Sequence, residues 1–393
     1  MSFEDWILGN KEEYVRKIAK IIEEKYVFWD EVSSYWCDKV NQYVQLIEEC
    51  DNLKDIYCNI DRMLLGLNDP HTRFRNLVAK GNAKVLMTKY KGKYYIIDVL
   101  YNNSSIKKGA QLLKINDVDI KKIEKEIGAR YKFQSKNIKD VCILEELATQ
   151  YMKEDNIIEC EIDGKSLRER IPKDNKLDLN KLCSGSIPVK LKSIYENRID
   201  DKTEYVKLPT FNHPKIDNDF EQFLNESKSK NLIIDVRSNM GGLIEKAINV
   251  SSMLLKDIKT IGFIASRNEA ELRPITINPT EKYLDKFEKI IILVDRNTGS
   301  SAENIFIRAL KNSSDKIRIL GTETMGLVHQ ATVFTLKDNS QLQVTTSKYF
   351  DVNKNLLKPD GIEPDIFVEN GLNIFMGTDN QLNMALKLLE HSV

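Results

Sequence analysis

Residues 232–247 read LIIDVRSNMGGLIEKA: an apolar run, a polar turn with two adjacent glycines, and a segment with helical spacing. Uninterrupted apolar runs are typical of strands that are covered on both faces of a sheet. The glycine pair predicts a tight turn in which one glycine takes a positive φ. Such a turn leaves backbone N–H groups at a positive helix end, which suits an anion or a developing oxyanion, although the turn alone needs no ligand to explain it.

The stretch 290–310, IIILVDRNTGSSAENIFIRAL, repeats the order of strand, turn and helix. A serine at this turn would lie at the carboxyl edge of the sheet, where ligands of open α/β sheets bind. A nucleophilic serine needs such exposure, a base and nearby backbone donors. The alternative interpretation is that Ser300 or Ser301 only caps the helix.

The periodicity divides the chain into three predicted regions of an α/β protein. Residues 1–80 have helical spacing that ends before Pro70. Residues 81–172 have short strands and a hairpin, which is typical of a small β-rich module, with an added helix. Residues 173–393 alternate strands with helices, which predicts a mostly parallel sheet covered by helices.

Three details of this division are specific enough to check. The hairpin of the β-rich module is predicted to turn at Asp163–Gly164. The apolar run at 259–266 is predicted to be a further strand of the alternating region, and the polar segment 172–188 a connection between domains.

The bulk composition excludes several classes of function. The chain has 393 residues, with 59 basic and 59 acidic side chains. This balance argues against a nucleic-acid groove or a polybasic membrane patch. The start, MSFEDWILGN, has acids where a secretory leader has Lys or Arg, and no apolar run approaches a membrane span. We therefore expect a cytoplasmic protein without a membrane span.

Metal and nucleotide chemistry find no support in the motifs. The six cysteines form no CxxC pair, so a zinc site is not expected and free thiols are. Neither a phosphate-binding loop nor a dinucleotide fingerprint occurs, so no metal and no cofactor is predicted. The cysteines are Cys37, Cys50, Cys58, Cys142, Cys160 and Cys183, and the four histidines, each more often structural than catalytic, are His71, His213, His329 and His391.

Taken together, several blocks resemble one family, the C-terminal processing or tail-specific serine peptidases, including their tricorn-core-like branch. The blocks are LLGLNDPHTRF, YVKLPTF, LIIDVRSNMGG, NTGSSAE, GTETMG and KPDGIEPDI, in the family's order. The resemblance covers about 203–368, with an outpost at 64–74. The segment NNSSIKKGAQLLKINDVDI is similar to part of a PDZ domain, so the resemblance implies a PDZ-like module before the peptidase core.

The resemblance assigns roles residue by residue. The first serine after Thr-Gly, Ser300, falls on the nucleophile. The amide of Ser301 and the amide of Gly241 or Gly242 would form the oxyanion hole. One departure is plain: where the family has a lysine base, this sequence has Leu327, which cannot take a proton.

Three readings of the missing base remain open. In the tricorn-like branch a histidine of the N-terminal block is the base, and His71 matches that block. His329, two residues after Leu327, is the alternative base, and the third reading is that no base exists. A third catalytic member stays unassigned, because Lys358 or a neighbour occupies the region of the branch's glutamate here.

The resemblance therefore implies a serine endopeptidase that cleaves peptides or unfolded protein tails by acyl transfer. Whether the protein forms a homo-oligomer is left open. The rival hypothesis is an inactive pseudo-peptidase that binds peptide termini. A weaker rival is a relative of the same fold that acts on a thioester, which would need an adenine-nucleotide pocket that no motif indicates.

Overall fold

The structure, a computed structural model, describes residues 2–76, 84–132, 135–173, 192–269, 271–280 and 283–390. Its described residues form three β-sheets with helices packed around them, which confirms the predicted α/β class. Most of the predicted connection 172–188 lies outside the described residues, as do Cys183 and His391.

The N-terminal region is helical, as its periodicity predicts. Apolar residues three or four apart, such as Ile18 and Ile22, form one buried face of each helix. The last helix ends at Leu65, so the chain leaves the helix before Pro70 and enters the short strand β1, Arg73–Arg75. The helices span Phe3–Gly9, Lys11–Lys25, Trp29–Glu48 and Leu53–Leu65.

The middle region is an antiparallel sheet with two helices. Its hairpin turns at Asp163 and Gly164, both with positive φ, as predicted. The PDZ-like character of this module stays a prediction. Its strands are β2 (Val85–Tyr90), β3 (Lys93–Val99), β4 (Gln111–Ile115), β5 (Val118–Asp119), β6 (Ile157–Ile162) and β7 (Lys165–Arg170); its helices are Ile120–Gly128 and Lys136–Glu146, the latter continuing as a π turn, Leu147–Tyr151.

The third region contains two sheets of different kinds. Their strands are β8 (Tyr195–Arg198), β9 (Thr203–Lys207), β10 (Asn231–Asp235), β11 (Lys259–Ser266), β12 (Arg273–Ile277), β13 (Lys289–Val294), β14 (Ile317–Gly321), β15 (Gln330–Thr335), β16 (Gln341–Phe350) and β17 (Ile366–Phe367). The larger sheet has the order β17-β14-β13-β10-β9-β8 and is parallel except between β8 and β9. This confirms the predicted mostly parallel core.

The smaller sheet has the order β1-β16-β11-β12, with β15 pairing to β16, and it is antiparallel. Strand β11 belongs here, so the prediction that the run 259–266 extends the parallel sheet is wrong. An apolar run reports burial and not the sheet a strand joins. Strand β1 follows His71 closely in the sequence and pairs with β16. The sheet therefore connects the segment around His71 to residues 341–350.

Helices cover both faces of the parallel sheet. The helices Ile216–Glu226 and Ile244–Ser252 pack in the main core together with the helix that begins at Ala302, a π segment to Ile307 followed by Arg308–Leu310. The helix Asn380–Glu390 packs on the other face. In the part of the chain that is described, no helix combines the length and apolar composition needed to cross a membrane.

Candidate active site

Ser300 stands at the carboxyl end of β13, in the turn before a helix. Its φ is +53°, the left-handed region that most residues avoid, so the turn holds it in a sharp bend. Thr298 fixes this turn, because its hydroxyl donates to the Val236 carbonyl at 2.9 Å and accepts from the Asp295 amide at 3.1 Å. Ser300 is half-buried and lines a cavity.

The helix-capping interpretation of the two serines is wrong. Ser301 already has helical φ and ψ, and its side chain makes no capping hydrogen bond. Its Oγ is buried without a hydrogen-bond partner among the described residues. The Ser300 carbonyl, not a hydroxyl, accepts from the amides of Glu303 and Asn304.

The glycine turn after β10 packs directly against this serine. A Cβ on Gly241 would lie 2.7 Å from the Ser301 nitrogen and 2.8 Å from the Ser300 Cβ, so only glycine fits. Gly241 also has φ +90°. Asn239 joins the two turns, because its carbonyl accepts from the Gly299 amide at 3.0 Å.

Two of the three predicted oxyanion amides are open. The Gly241 amide donates to Asn239 Oδ1 at 2.8 Å and is therefore occupied. An isolated β-bridge joins Phe211 to the glycine turn. In it the Phe211 amide donates to the Gly241 carbonyl and the Leu243 amide donates to the Phe211 carbonyl, so the Gly242 amide is not used. Within the described residues, the amides of Gly242 and Ser301 donate no hydrogen bond, so these two could serve a ligand oxygen.

His71 is buried and held by its neighbours. Its amide donates to Asp69 Oδ1 at 3.0 Å, and its Nδ1 lies 2.9 Å from the Val328 carbonyl oxygen. A carbonyl can only accept, so Nδ1 carries the proton and Nε2 presents a lone pair. Burial lowers the pKa of His71, while the charge of Asp69 acts on that pKa in the opposite direction.

His329 has the opposite tautomer. Its Nδ1 accepts from the Tyr349 amide at 3.1 Å, so the neutral ring carries its proton on Nε2. Burial lowers the pKa of His329 to about 4. In its neutral form this imidazole can donate from Nε2, but it has no open lone pair with which to act as a base.

The two histidines line different cavities. A cavity of about 180 Å³ contains Ser300 and His329 on its wall, together with Gly242 and the half-exposed Leu243. A second cavity of about 150 Å³ is lined by His71. The structure therefore brings the serine together with His329 and places His71 in the neighbouring cavity. Other residues of the second cavity include Arg73, Met240, Met325 and Leu327.

Leu327, which the resemblance places where the family has a lysine, is anchored through its backbone. The Leu327 amide donates to Glu303 Oε2 at 3.0 Å, and the Leu327 carbonyl accepts from Asn304 Nδ2 at 2.8 Å. Its side chain lines the His71 cavity. Sequence reasoning missed Glu303, although a carboxylate within the apolar run AENIFI was a signal that a buried acid needed partners.

Three further features that bear on the site are accounted for by local structure or are absent from the described residues. Asp235 and Arg237 form a buried ion pair with each other at 2.7 Å. His213 lies in the loop before the helix Ile216–Glu226, where its Nδ1 accepts from the Lys215 amide. Within the described ranges, no group of three metal-binding side chains occurs.

A serine in a left-handed turn beside open backbone amides, at the carboxyl edge of a parallel sheet, is the arrangement of a serine hydrolase. Comparison with known proteins finds a family match for part of the chain: residues 202–368 match the model of Peptidase family S41. This match confirms the resemblance to C-terminal processing serine peptidases that the motifs predict.

Individual proteins that the chain resembles are named as carboxy-terminal processing proteases. The chain is 26% identical over 203 residues to the carboxy-terminal processing protease CtpA of Bacillus subtilis, covering 49% of this chain and 42% of the relative. It is 24% identical over 363 residues to the carboxyl-terminal-processing protease of Synechocystis, covering 87% and 78%. The chain thus spans less than half of the Bacillus subtilis relative.

The fold extends beyond the family match. The crystal structure of mature CPAF superposes with a TM-score of 0.68 at 13% identity, covering 99% of both chains. At this identity the likeness concerns the fold alone.

Proposed function

We propose that this protein is a serine endopeptidase that cleaves peptides or unfolded protein tails by acyl transfer through Ser300. The observation that carries the proposal is the half-buried Ser300 in a strained turn, packed against the glycine turn with the open amides of Gly242 and Ser301 beside it. The names of the relatives favour carboxy-terminal segments as substrates.

In the proposed reaction, Ser300 Oγ attacks the carbonyl carbon of the scissile peptide bond. The proton of the hydroxyl passes to Nε2 of His71, and the carbonyl oxygen becomes an oxyanion that accepts from the Gly242 and Ser301 amides. His71 then gives the proton to the leaving amine. Water attacks the resulting ester with the same histidine as base, and this releases the acid and restores Ser300.

His71 is the preferred base because of its tautomer. The Val328 carbonyl holds the proton on Nδ1, which leaves Nε2 to accept. In His329 the lone pair of Nδ1 is taken by the Tyr349 amide. Catalytic hydrogen bonds are often long without substrate and tighten when it binds, so separate cavities are compatible with this role.

The second candidate is a pseudo-peptidase that binds peptide termini without cutting. Two observations favour it: Leu327 stands where the family has a lysine, and His71 does not line the Ser300 cavity.

A fluorophosphonate probe separates the two candidates, because it labels only an activated serine. We expect labelling of wild-type protein, located by mass spectrometry at Ser300 and lost in Ser300→Ala. Ser301→Ala decides between the two hydroxyls. It keeps the backbone amide and removes an Oγ that has no hydrogen-bond partner among the described residues, so labelling should persist. No labelling of wild-type protein at any pH would reject the enzyme and favour the binder.

A further inference from the structure

Glu303 is a buried carboxylate that the proposed reaction does not use. It lies in the first turn of the helix behind Ser300, and its side chain is completely buried. Oε1 accepts from the Thr324 hydroxyl and, at 2.8 Å, from the Gly326 amide; Oε2 accepts from the Leu327 amide at 3.0 Å. All three donors belong to the one segment 324–327.

Asn304 holds the same segment from its other side. Its Nδ2 donates to the Leu327 carbonyl at 2.8 Å and to the Ser300 carbonyl at 3.0 Å. Both the amide and the carbonyl of Leu327 are therefore bonded to consecutive side chains of one helix. This leaves the backbone at Leu327 little freedom to rotate relative to Ser300.

The next carbonyl along the chain orients a histidine. Val328 directly follows Leu327, and its oxygen accepts from His71 Nδ1 at 2.9 Å. We propose that Glu303 and Asn304 are positioning residues that fix the His71 ring relative to Ser300 through the backbone of 327–328. This inference rests on the proposed role of His71 as base.

A carboxylate suits this place better than its neutral isostere. Three donors point at Glu303, and a carboxylate accepts on both oxygens. A glutamine would set its own N–H₂ group against an amide N–H and lose at least one bond. The charge of Arg308 also acts on Glu303 and favours its ionised form.

The test compares Glu303→Gln with Glu169→Gln. Glu169 also accepts several hydrogen bonds, from Tyr101, Ser104 and Ser105, but it lies on β7 of the middle module. For both variants, kcat and KM are measured on an unfolded protein substrate. The tautomer of His71 is read from ¹⁵N shifts of histidine-labelled protein, assigned with His71→Asn. If Glu303→Gln does not fold, Asn304→Ala replaces it as the test variant, because it removes the hydrogen bond to the Leu327 carbonyl and leaves Glu303 in place.

We expect Glu303→Gln to lower kcat by about 10²-fold, the loss that a misplacement of about 1 Å can cause, with KM nearly unchanged. The Nδ1–H signal of His71 should weaken in favour of the Nε2–H form, and Glu169→Gln should change neither quantity. The inference is overturned if Glu303→Gln keeps the wild-type tautomer, or if Glu169→Gln loses kcat equally. An active His71→Ala would refute the base assignment and, with it, the expected effect on kcat. The His71 tautomer needs no turnover, so it tests separately whether Glu303 orients the ring.

Discussion

His71 Nδ1 lies 2.9 Å from the carbonyl oxygen of Val328, the residue directly before His329. The dipeptide Val328–His329 thus orients His71 through the Val328 carbonyl and itself contains the second histidine. The two rings end in opposite tautomers, because the Val328 carbonyl accepts from one and the Tyr349 amide donates to the other. Only His71 presents an open lone pair, and this difference separates the two candidate bases.

Removal of the His71 imidazole should abolish most of the activity. Because a general base contributes about 10²–10⁴-fold, we expect His71→Ala to lower kcat/KM by that factor and to slow fluorophosphonate labelling of Ser300 in parallel. Peptide hydrolysis and labelling rates provide the measurement.

The matched variant for that experiment is His329→Asn. Asparagine tolerates the positive φ of 78° at this position, and its Oδ1 can accept from the Tyr349 amide. We expect near-normal kcat/KM. A large loss in His329→Asn together with normal turnover in His71→Ala would exchange the roles of the two histidines.

The close packing of the glycine turn against the nucleophile predicts a specific effect of Gly241→Ala. The new Cβ would lie 2.8 Å from the Ser300 Cβ, so one of the two must move. Gly377→Ala is the control, because Gly377 has the same φ of +90° and no atom of the described residues lies within 4 Å of the added Cβ.

Both glycine variants should lose about 1–2 kcal/mol of stability from the left-handed backbone, and Gly241→Ala should lose more because its Cβ also clashes with the Ser301 nitrogen and the Ser300 Cβ. Only Gly241→Ala should lose Ser300 labelling. Equal labelling in the two variants, measured where both remain folded by circular dichroism, would show that the turn does not position the serine.

Much of the catalytic core could be predicted from local sequence. Strand β13 and the turn at Ser300 follow from an apolar run next to Thr-Gly-Ser-Ser, and the glycine pair predicts a turn at Gly241. These features depend on residues a few positions apart. Backbone preferences and burial act at that range, so the sequence carries the signal.

Relations between distant segments could not be predicted in the same way. The bond between His71 and the Val328 carbonyl joins residues 257 positions apart, and a carbonyl leaves no mark in a sequence. The occupied amide of Gly241 depends on the Asn239 side chain, which could have pointed elsewhere. Strand β11 entered the antiparallel sheet because pairing partners, not its own apolar residues, choose a strand's sheet.

The pH dependence of kcat/KM should show two rises. A base must be neutral, and burial lowers the pKa of His71 below its usual 6.5, so activity rises through an inflection below that pH. Burial raises the pKa of Glu303 to about 7, and its ionised form is the one that accepts all three hydrogen bonds. A second rise near pH 7 is therefore expected.

The Glu303→Gln variant separates these two titrations. Its profile should keep the lower inflection and lack the upper one, because glutamine does not titrate. A wild-type profile that falls as pH rises from acid to neutral would contradict both assignments, since protonated His71 cannot accept a proton.

A lysine at the position of Leu327 should change the titration of His71 rather than replace it. The Leu327 side chain lines the His71 cavity and is not among the described residues that line the Ser300 cavity. An ammonium beside His71 disfavours its charged form, so Leu327→Lys should move the lower inflection to still lower pH. Leu327→Met controls for size, and rescue of His71→Ala by Leu327→Lys would show that the lysine reaches Ser300.

The buried pair of Asp235 and Arg237 should matter for stability and not for chemistry. Arg237 binds both oxygens of Asp235, at 3.0 and 2.7 Å, and also Asp379 at 2.8 Å. Asp235 is only 1% exposed, so Arg237→Ala leaves a buried carboxylate without its guanidinium. We expect the free energy of unfolding in urea to fall by about 3–5 kcal/mol.

An exposed pair provides the comparison for that loss. Arg168 binds Asp117 and Glu159 on the surface of the middle module, with about half of its side chain exposed. Arg168→Ala should therefore cost less than about 1 kcal/mol. Labelling of Ser300 by the fluorophosphonate is then measured on Arg237→Ala kept folded at low temperature. Persistent labelling would show that the ion pair acts only through the stability of the fold. Loss of labelling without loss of stability would instead place Arg237 in the reaction.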